Sequence, residues 1–185
     1  MTIEEIFSQL SAHMVEGVMI HAQLSDYYNF LGLKGYSKCH EHHYYHEGKN
    51  YREVSEYYLT HYNKLIPEVQ IPNPDAIPSS WFGNLRQNVS MDVRKNAIKT
   101  GFDKWIVWES DTKNLYEDYY NQLVLLGEIA TASFVKELVC DVNEELKDAQ
   151  QLALENKAID YDICVIMDKQ DDLYKKYKHK IKKGE

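Results

Sequence analysis

The sequence predicts an all-α protein, a four-helix bundle with one long crossover and an extra C-terminal helix. Three observations point there. All four prolines, Pro67, Pro72, Pro74 and Pro78, fall within twelve residues. Apolar residues recur near a 3.6-residue period on both sides of that stretch, and no strand pattern or internal repeat competes. Glycine-marked breaks at Gly32 and Gly127 interrupt the helical runs on either side.

The first helix is expected over residues 3–31. Thr2 is placed to cap it, and Glu4 and Glu5 sit in its first turn, where the helix dipole favours anions. Ile3, Ile6, Phe7, Leu10, Met14, Val18, His21, Tyr28 and Leu31 form its inward stripe. The short LGLKG segment ends it. A second helix follows over 36–66, weakened but not ended by Gly48. Helices of about 30 residues are ~45 Å long, and a short turn makes the pair antiparallel. Residues 67–89 form the crossover, because each proline removes a backbone donor and turns its predecessor away from helix. So long a loop inside a domain needs a reason, and spanning the length of a bundle is one. Trp81 and Phe82 are expected to anchor it.

The third helix is expected over 90–126, with Met91, Ile98, Phe102, Trp105, Trp108, Leu115, Tyr119 and Leu126 inward. The fourth, over 129–155, carries Val135, Leu138, Val142, Leu146, Ala149 and Ala153. A last amphipathic helix over 158–182 uses Ile159, Ile163, Ile166, Tyr174, Tyr177 and Ile181. Two helical hairpins joined by one long crossover make the ferritin-like topology.

Composition narrows the class. The chain of 185 residues fits one domain, residues 1–185. A hydrophobic share of 44% excludes disorder. No apolar run approaches the ~18 residues that span a bilayer, so no membrane partner is expected. The acidic, amphipathic start does not resemble a secretory signal. Cys39, Cys140 and Cys164 are scattered and form no CxxC motif, which reads as reduced thiols in the cytoplasm. Nine of the 15 tyrosines lie between Tyr27 and Tyr62, as expected for helix faces that meet other helices or subunits. There is no glycine-rich phosphate loop, GxSxG or HExxH.

The polar residues with the right spacing for chemistry are few. In the run His40-Glu41-His42-His43-Tyr44-Tyr45-His46-Glu47, positions 40, 43 and 47 share one helix face with Tyr36 and Tyr51. His40, His43 and Glu47 are therefore candidate metal ligands, since a di-iron bundle centre uses hard oxygen donors with one or two imidazoles. Glu109 lies on the aromatic line Phe102, Trp105, Glu109, Tyr116, and burying it there requires a cation or hydrogen bonds. His21 falls on the first helix's apolar stripe, with Glu16 toward the edge. Glu137 and Asp141 run beside the fourth helix's stripe and would face Glu109 if inward; a solvated acidic flank with Glu144 is the plainer reading. His13, His61 and His179 show no constellation. At the C-terminus Lys175, Lys176, Lys178, Lys180, Lys182 and Lys183 polarise the charge. Without residues 175–185, which hold six lysines and one glutamate, 15 of 21 basic and 28 of 29 acidic groups remain. Such a tail suits solubility and the helix dipole, and it admits contact with DNA, although no arginine or aromatic interleaving supports sequence readout.

Residues 30–41, FLGLKGYSKCHE, and 129–139, IATASFVKELV, resemble segments of the ferritin-like superfamily, locally its Dps branch. In the first, an aromatic, a glycine turn and a second aromatic precede His-Glu; the second is like the start of the family's fourth helix. The resemblance implies a ferritin-like fold, iron as the bound metal, oxidation of ferrous ions with storage or protection against oxidative stress, and a homo-oligomer, in its fullest form a shell. In the Dps pattern, whose ligands lie between subunits, His40 matches the second histidine. Tyr28 stands in place of the first, Tyr44 where an acid is usual, and Glu53 and Glu56 lie near the later acidic pair. In the ferritin pattern Glu109 matches the third-helix glutamate and Asp141 falls near a fourth-helix acid. The second-helix Glu-x-x-His is reordered as His43-x-x-x-Glu47. Two readings follow: a metal-binding ferritin-like protein, ferroxidase-type if active, or a helical assembly module of the same fold that has lost its metal site.

Overall fold

The computed structural model describes residues 1–67 and 90–184, and these form five α-helices. The crossover expected at 67–89, with Trp81 and Phe82, lies beyond Pro67 outside the described residues. Helix α1 spans Ile3–Phe30. The Thr2 hydroxyl accepts a bond from the Glu5 N–H (3.2 Å) while the Thr2 N–H donates to Glu5 Oε2 (2.8 Å), a reciprocal cap. Gly32, at φ +81°, makes the turn into α2, Lys34–Tyr62. Helix α3 spans Met91–Leu125 behind the Ser90 cap; Gly127, at φ +78°, turns the chain into α4, Ile129–Ala158. Helix α5 spans Ile163–Lys183.

Two boundaries differ from expectation for identifiable reasons. Helix α2 stops at Tyr62 rather than residue 66 because Asn63 adopts the left-handed conformation, φ 52°, which asparagine tolerates and a helix does not. Helix α5 starts at Ile163 rather than residue 158. Asp160 and Tyr161 both take positive φ, and the Asp162 carboxylate then caps the new helix by accepting from the Cys164 (2.9 Å) and Val165 (3.3 Å) N–H groups. Met91 and Leu126, at the two ends of the third helix's apolar line, are about half exposed. No helix among the described residues is long and apolar enough to cross a membrane.

Helix α1 pairs with α2 and α3 with α4, α1 meets α3 across the bundle, and α5 lies along α2. Close backbone approach docks α5. The Gly35 N–H donates to Gln170 Oε1 (3.1 Å), and a Cβ at position 35 would stand 2.3 Å from the Gln170 carbonyl oxygen. Gly35→Ala is therefore expected to destabilise by about 1–3 kcal/mol through overpacking, although alanine favours helix by ~1 kcal/mol. Chemical denaturation and limited proteolysis of α5 measure this; an unchanged midpoint with α5 still protected would show that the helix does not dock there.

The buried apolar residues fall into two clusters. One gathers Ile20, Leu24, Tyr28, Tyr36, Phe102, Trp105, Ile166 and Tyr177 with their neighbours. The other gathers Ile6, Phe7, Leu10, Met14, Val54, Tyr58, Tyr116, Val135, Leu138 and Val142. Between them, at matching heights on the four bundle helices, lies a belt of buried polar side chains.

Candidate metal centre

The belt draws on all four bundle helices. Helix α1 supplies His21, α2 supplies His40, His43 and Glu47, α3 supplies Glu109 and Thr112, and α4 supplies Glu145. His21, His40 and Glu109 are fully buried, and Glu47 and His43 are 3% and 4% exposed. The aromatic line of α3 sets the position of Glu109. One turn away on the same face, the Trp105 indole N–H donates to Glu109 Oε1 (2.8 Å). His21 Nε2 lies 3.3 Å from that same oxygen. The Nδ1 atoms of His21 and His40 are 3.1 Å apart, one ring donating to the other. His40 is held edge-on by Trp105 (4.6 Å, 70°) and face-on by Tyr28 (5.3 Å, 3°).

On the other side of the belt, Glu145 Oε1 lies 3.2 Å from His43 Nδ1 and 2.9 Å from His46 Nδ1. Burial opposes charge on His43, but the Glu145 carboxylate outweighs it and holds the imidazole well above its ordinary range. Burial likewise opposes charge on Glu145, yet His43 and the hydrogen bonds from His43 and His46 bring its carboxyl well below the usual range. The two directions agree: this is an ion pair. His40 is driven the other way, toward neutrality, by burial and by the neighbouring His21 and His43. Glu47 is the misfit. Burial, then the carboxylates of Glu145 and Glu109, push its carboxyl well above the ordinary value, with only His43 pulling back. Gly17 on α1 makes its space, since a Cβ there would stand 3.0 Å from Glu47 Cδ and Oε1 and 3.2 Å from the Trp108 ring.

These residues fit a metal on the chemistry of the donor set. Glu47 Oε2, Glu109 Oε2 and His40 Nε2 are buried and make no hydrogen bond among the described residues. Buried carboxylate oxygens are rarely left so. Hard oxygen donors alongside imidazoles suit ferrous iron and similar divalent ions. No three His, Cys, Asp or Glu side chains among the described residues are already drawn together as a ready ligand set, so a bound ion would have to gather them.

The structure places the sequence candidates unevenly. His21, His40, His43, Glu47 and Glu109 meet in the belt. Glu137 and Asp141 do not: both are exposed on α4, Asp141 at the rim of a cleft beside the belt. The fourth-helix acid that does reach inward is Glu145, which the sequence reading passed over. Its signal was present, since Leu138, Val142, Glu145 and Ala149 follow at spacings of four, three and four, and the first, second and fourth are buried. His13 also has a partner. It stacks on Trp108 (4.4 Å, 12°) with Nε2 2.8 Å from Thr112 Oγ1, and burial pulls its pKa down to about 4, so it packs as a neutral ring. His40, which the Dps pattern would put between subunits, is enclosed within this chain. The six C-terminal lysines lie on α5, with Lys176 and Lys180 over the Tyr177 ring and Lys178 over Tyr174.

No family model matches the chain, and no curated protein matches it. Solved structures do. A closed form of the Archaeoglobus fulgidus ferritin, engineered by site-directed mutagenesis, matches with a TM-score of 0.74 at 14% identity, over 94% of this chain and 96% of that one. A humanized archaeal ferritin matches at 0.73 and 13%, over 92% and 94% of the two chains. An open-pore ferritin from the hyperthermophilic archaeon Archaeoglobus fulgidus matches at 0.72 and 14%, over 92% and 93%. At such identities the likeness is one of fold: the chain has the ferritin-like four-helix bundle with an additional C-terminal helix.

Proposed function

We propose that this chain binds iron, or a chemically similar divalent metal, inside its bundle and assembles with copies of itself. The observation that carries the reading is the pair of buried carboxylates, Glu47 and Glu109, each with an oxygen that makes no hydrogen bond among the described residues, flanked by His21, His40 and His43. An enclosed pair of carboxyl groups is costly unless a cation compensates it. Held there, ferrous ions would be oxidised by oxygen or peroxide, one electron leaving each iron for the oxidant. Iron storage or protection against oxidative stress would be the use. The ferritin-like fold of the neighbouring structures supports the same choice of metal.

Metal analysis of protein purified without a polyhistidine tag tests this, together with ferrous oxidation by wild type and Glu109→Ala. Iron should co-purify or load, and oxidation in the variant should fall by about a hundredfold or more, the scale of losing an essential positioned group. No bound iron and no Glu109-dependent oxidation would overturn the proposal. That outcome would favour the second reading, an assembly module without a metal, whose support is that no three donors are preassembled among the described residues. Self-association is supported by the outer face of α1 and α2, where Tyr45 and Leu59 are 53% and 46% exposed beside a groove lined by Val18, Tyr44 and Arg52. Light scattering that finds only monomer would overturn that part.

A further inference from the structure

Beside the belt, between α2, α4 and α5, a cavity of about 210 Å³ opens to solvent. Its walls combine His42 and His46 of α2, Asp141, Glu144, Glu145 and Asp148 of α4, and Tyr177 with Lys180 of α5. Four acids thus face one lysine, whose ammonium lies 5.7 Å from the centre of the Tyr177 ring. A cleft so lined concentrates cations. It is more than an acidic patch. His42 and His46 stand one turn apart with their rings parallel to within 5°, the i, i+4 spacing that lets two imidazoles serve one ion. Asp141 and Glu145 repeat that spacing on the facing helix. His43, 4% exposed, also lines the cleft, with its Nδ1 3.2 Å from Glu145 Oε1.

We infer that this cleft is an outer binding site for a divalent transition-metal ion, with His42 and His46 from α2 and Asp141 and Glu145 from α4 as its donors. Two imidazoles and two carboxylates make a four-donor set of borderline softness, suited to ions such as zinc, cobalt or ferrous iron. The ion takes over the bond that His46 now makes to Glu145, and Asp141 swings in from the rim. Because Glu145 also contacts His43, the outer site adjoins the enclosed belt, in which His21, His40 and Glu109 are fully buried. A cation captured outside is thereby one carboxylate away from the inner donors. Binding in the cleft stands on the cleft's own residues and does not require the inner centre to hold iron.

Cobaltous ion alone is the probe, titrated by calorimetry and visible absorption into wild type, His46→Gln, Asp141→Asn and Glu109→Ala. The variant residues His46 and Asp141 lie at the surface end of the cleft, and unchanged thermal melting confirms that their variants fold. Each should weaken one cobalt site by about 10–100-fold or more, the scale on which groups around a metal act, while Glu109→Ala keeps that site. Equal affinity in wild type, His46→Gln and Asp141→Asn would overturn the inference. Loss of all cobalt binding in Glu109→Ala would do so as well, by showing that the inner centre is the sole site. Failure of the iron reading leaves a different mark: the cleft site persists while no Glu109-dependent site is seen.

Discussion

Trp105→Ala is expected to lower folding stability by about 3–5 kcal/mol, the usual range for emptying a buried aromatic position. Total domain stability is on the order of 5–15 kcal/mol, so a large part of the protein should be unfolded at ambient temperature in mild denaturant. Two effects combine. The ring is fully buried among Phe102, His40 and His43, so its removal leaves a void that the rigid helices cannot close. Its N–H is also a hydrogen-bond donor to Glu109 Oε1, so a fully buried carboxyl loses one of its two contacts and keeps that to His21. Trp105→Phe separates the two by keeping most of the volume and removing the donor, with an expected cost of about 1–3 kcal/mol. Denaturant midpoints at constant slope measure both. A Trp105→Ala variant within about 1 kcal/mol of wild type would mean that the ring does not occupy the core.

Glu47→Gln should act in the opposite direction and make the metal-free protein more stable. In the folded state the Glu47 carboxyl is held well above its ordinary value, first by burial and then by Glu145 and Glu109. The folded chain therefore keeps a proton that the unfolded chain releases above pH ~4.5. Wherever the native state binds more protons, stability falls as pH rises. The burden is absent in acid and grows from about pH 5 toward the alkaline side. Glutamine keeps the shape and cannot ionise, so the gain should be small at pH 5 and on the order of 1–3 kcal/mol at pH 8, the usual cost of an uncompensated buried polar group. Thermal melting at the two pH values measures it. The same substitution should weaken metal binding, since it removes an anionic donor. A variant less stable than wild type at pH 8 would show that Glu47 is compensated within the protein and is not held in readiness for a cation.

The fold was legible because its signals are local. Helical period, the Thr2 cap, the glycine turns at Gly32 and Gly127 and the clustered prolines each act within a few residues of themselves. The helix ends that were misplaced depend on backbone conformations, at Asn63 and at Asp160 with Tyr161, that side-chain patterning does not encode strongly. Within the candidate centre, Glu109 and His21 were visible because each interrupts an apolar stripe, and the spacing of His40, His43 and Glu47 placed them on one face. Glu145 was obscured by its neighbours. On an acid-rich helix one inward carboxylate looks like the solvated ones, and only the phase set by Leu138, Val142 and Ala149 distinguishes it from Glu137, Asp141 and Glu144. Which imidazole pairs with which carboxylate depends on the rotation of four helices about one another, which no single helix's sequence specifies.

The division of the interior into two apolar clusters with a polar belt between them bears on how such a chain can change over generations. The apolar clusters lie above and below the belt, so much of the hydrophobic burial is separate from the choice of donors in the middle. A lineage can exchange one imidazole for a carboxylate, or reverse their order along α2, and still inherit a folded bundle. Reactivity is thereby insulated from architecture, and sequences of this shape can wander far from one another in their chemistry while remaining superimposable in outline.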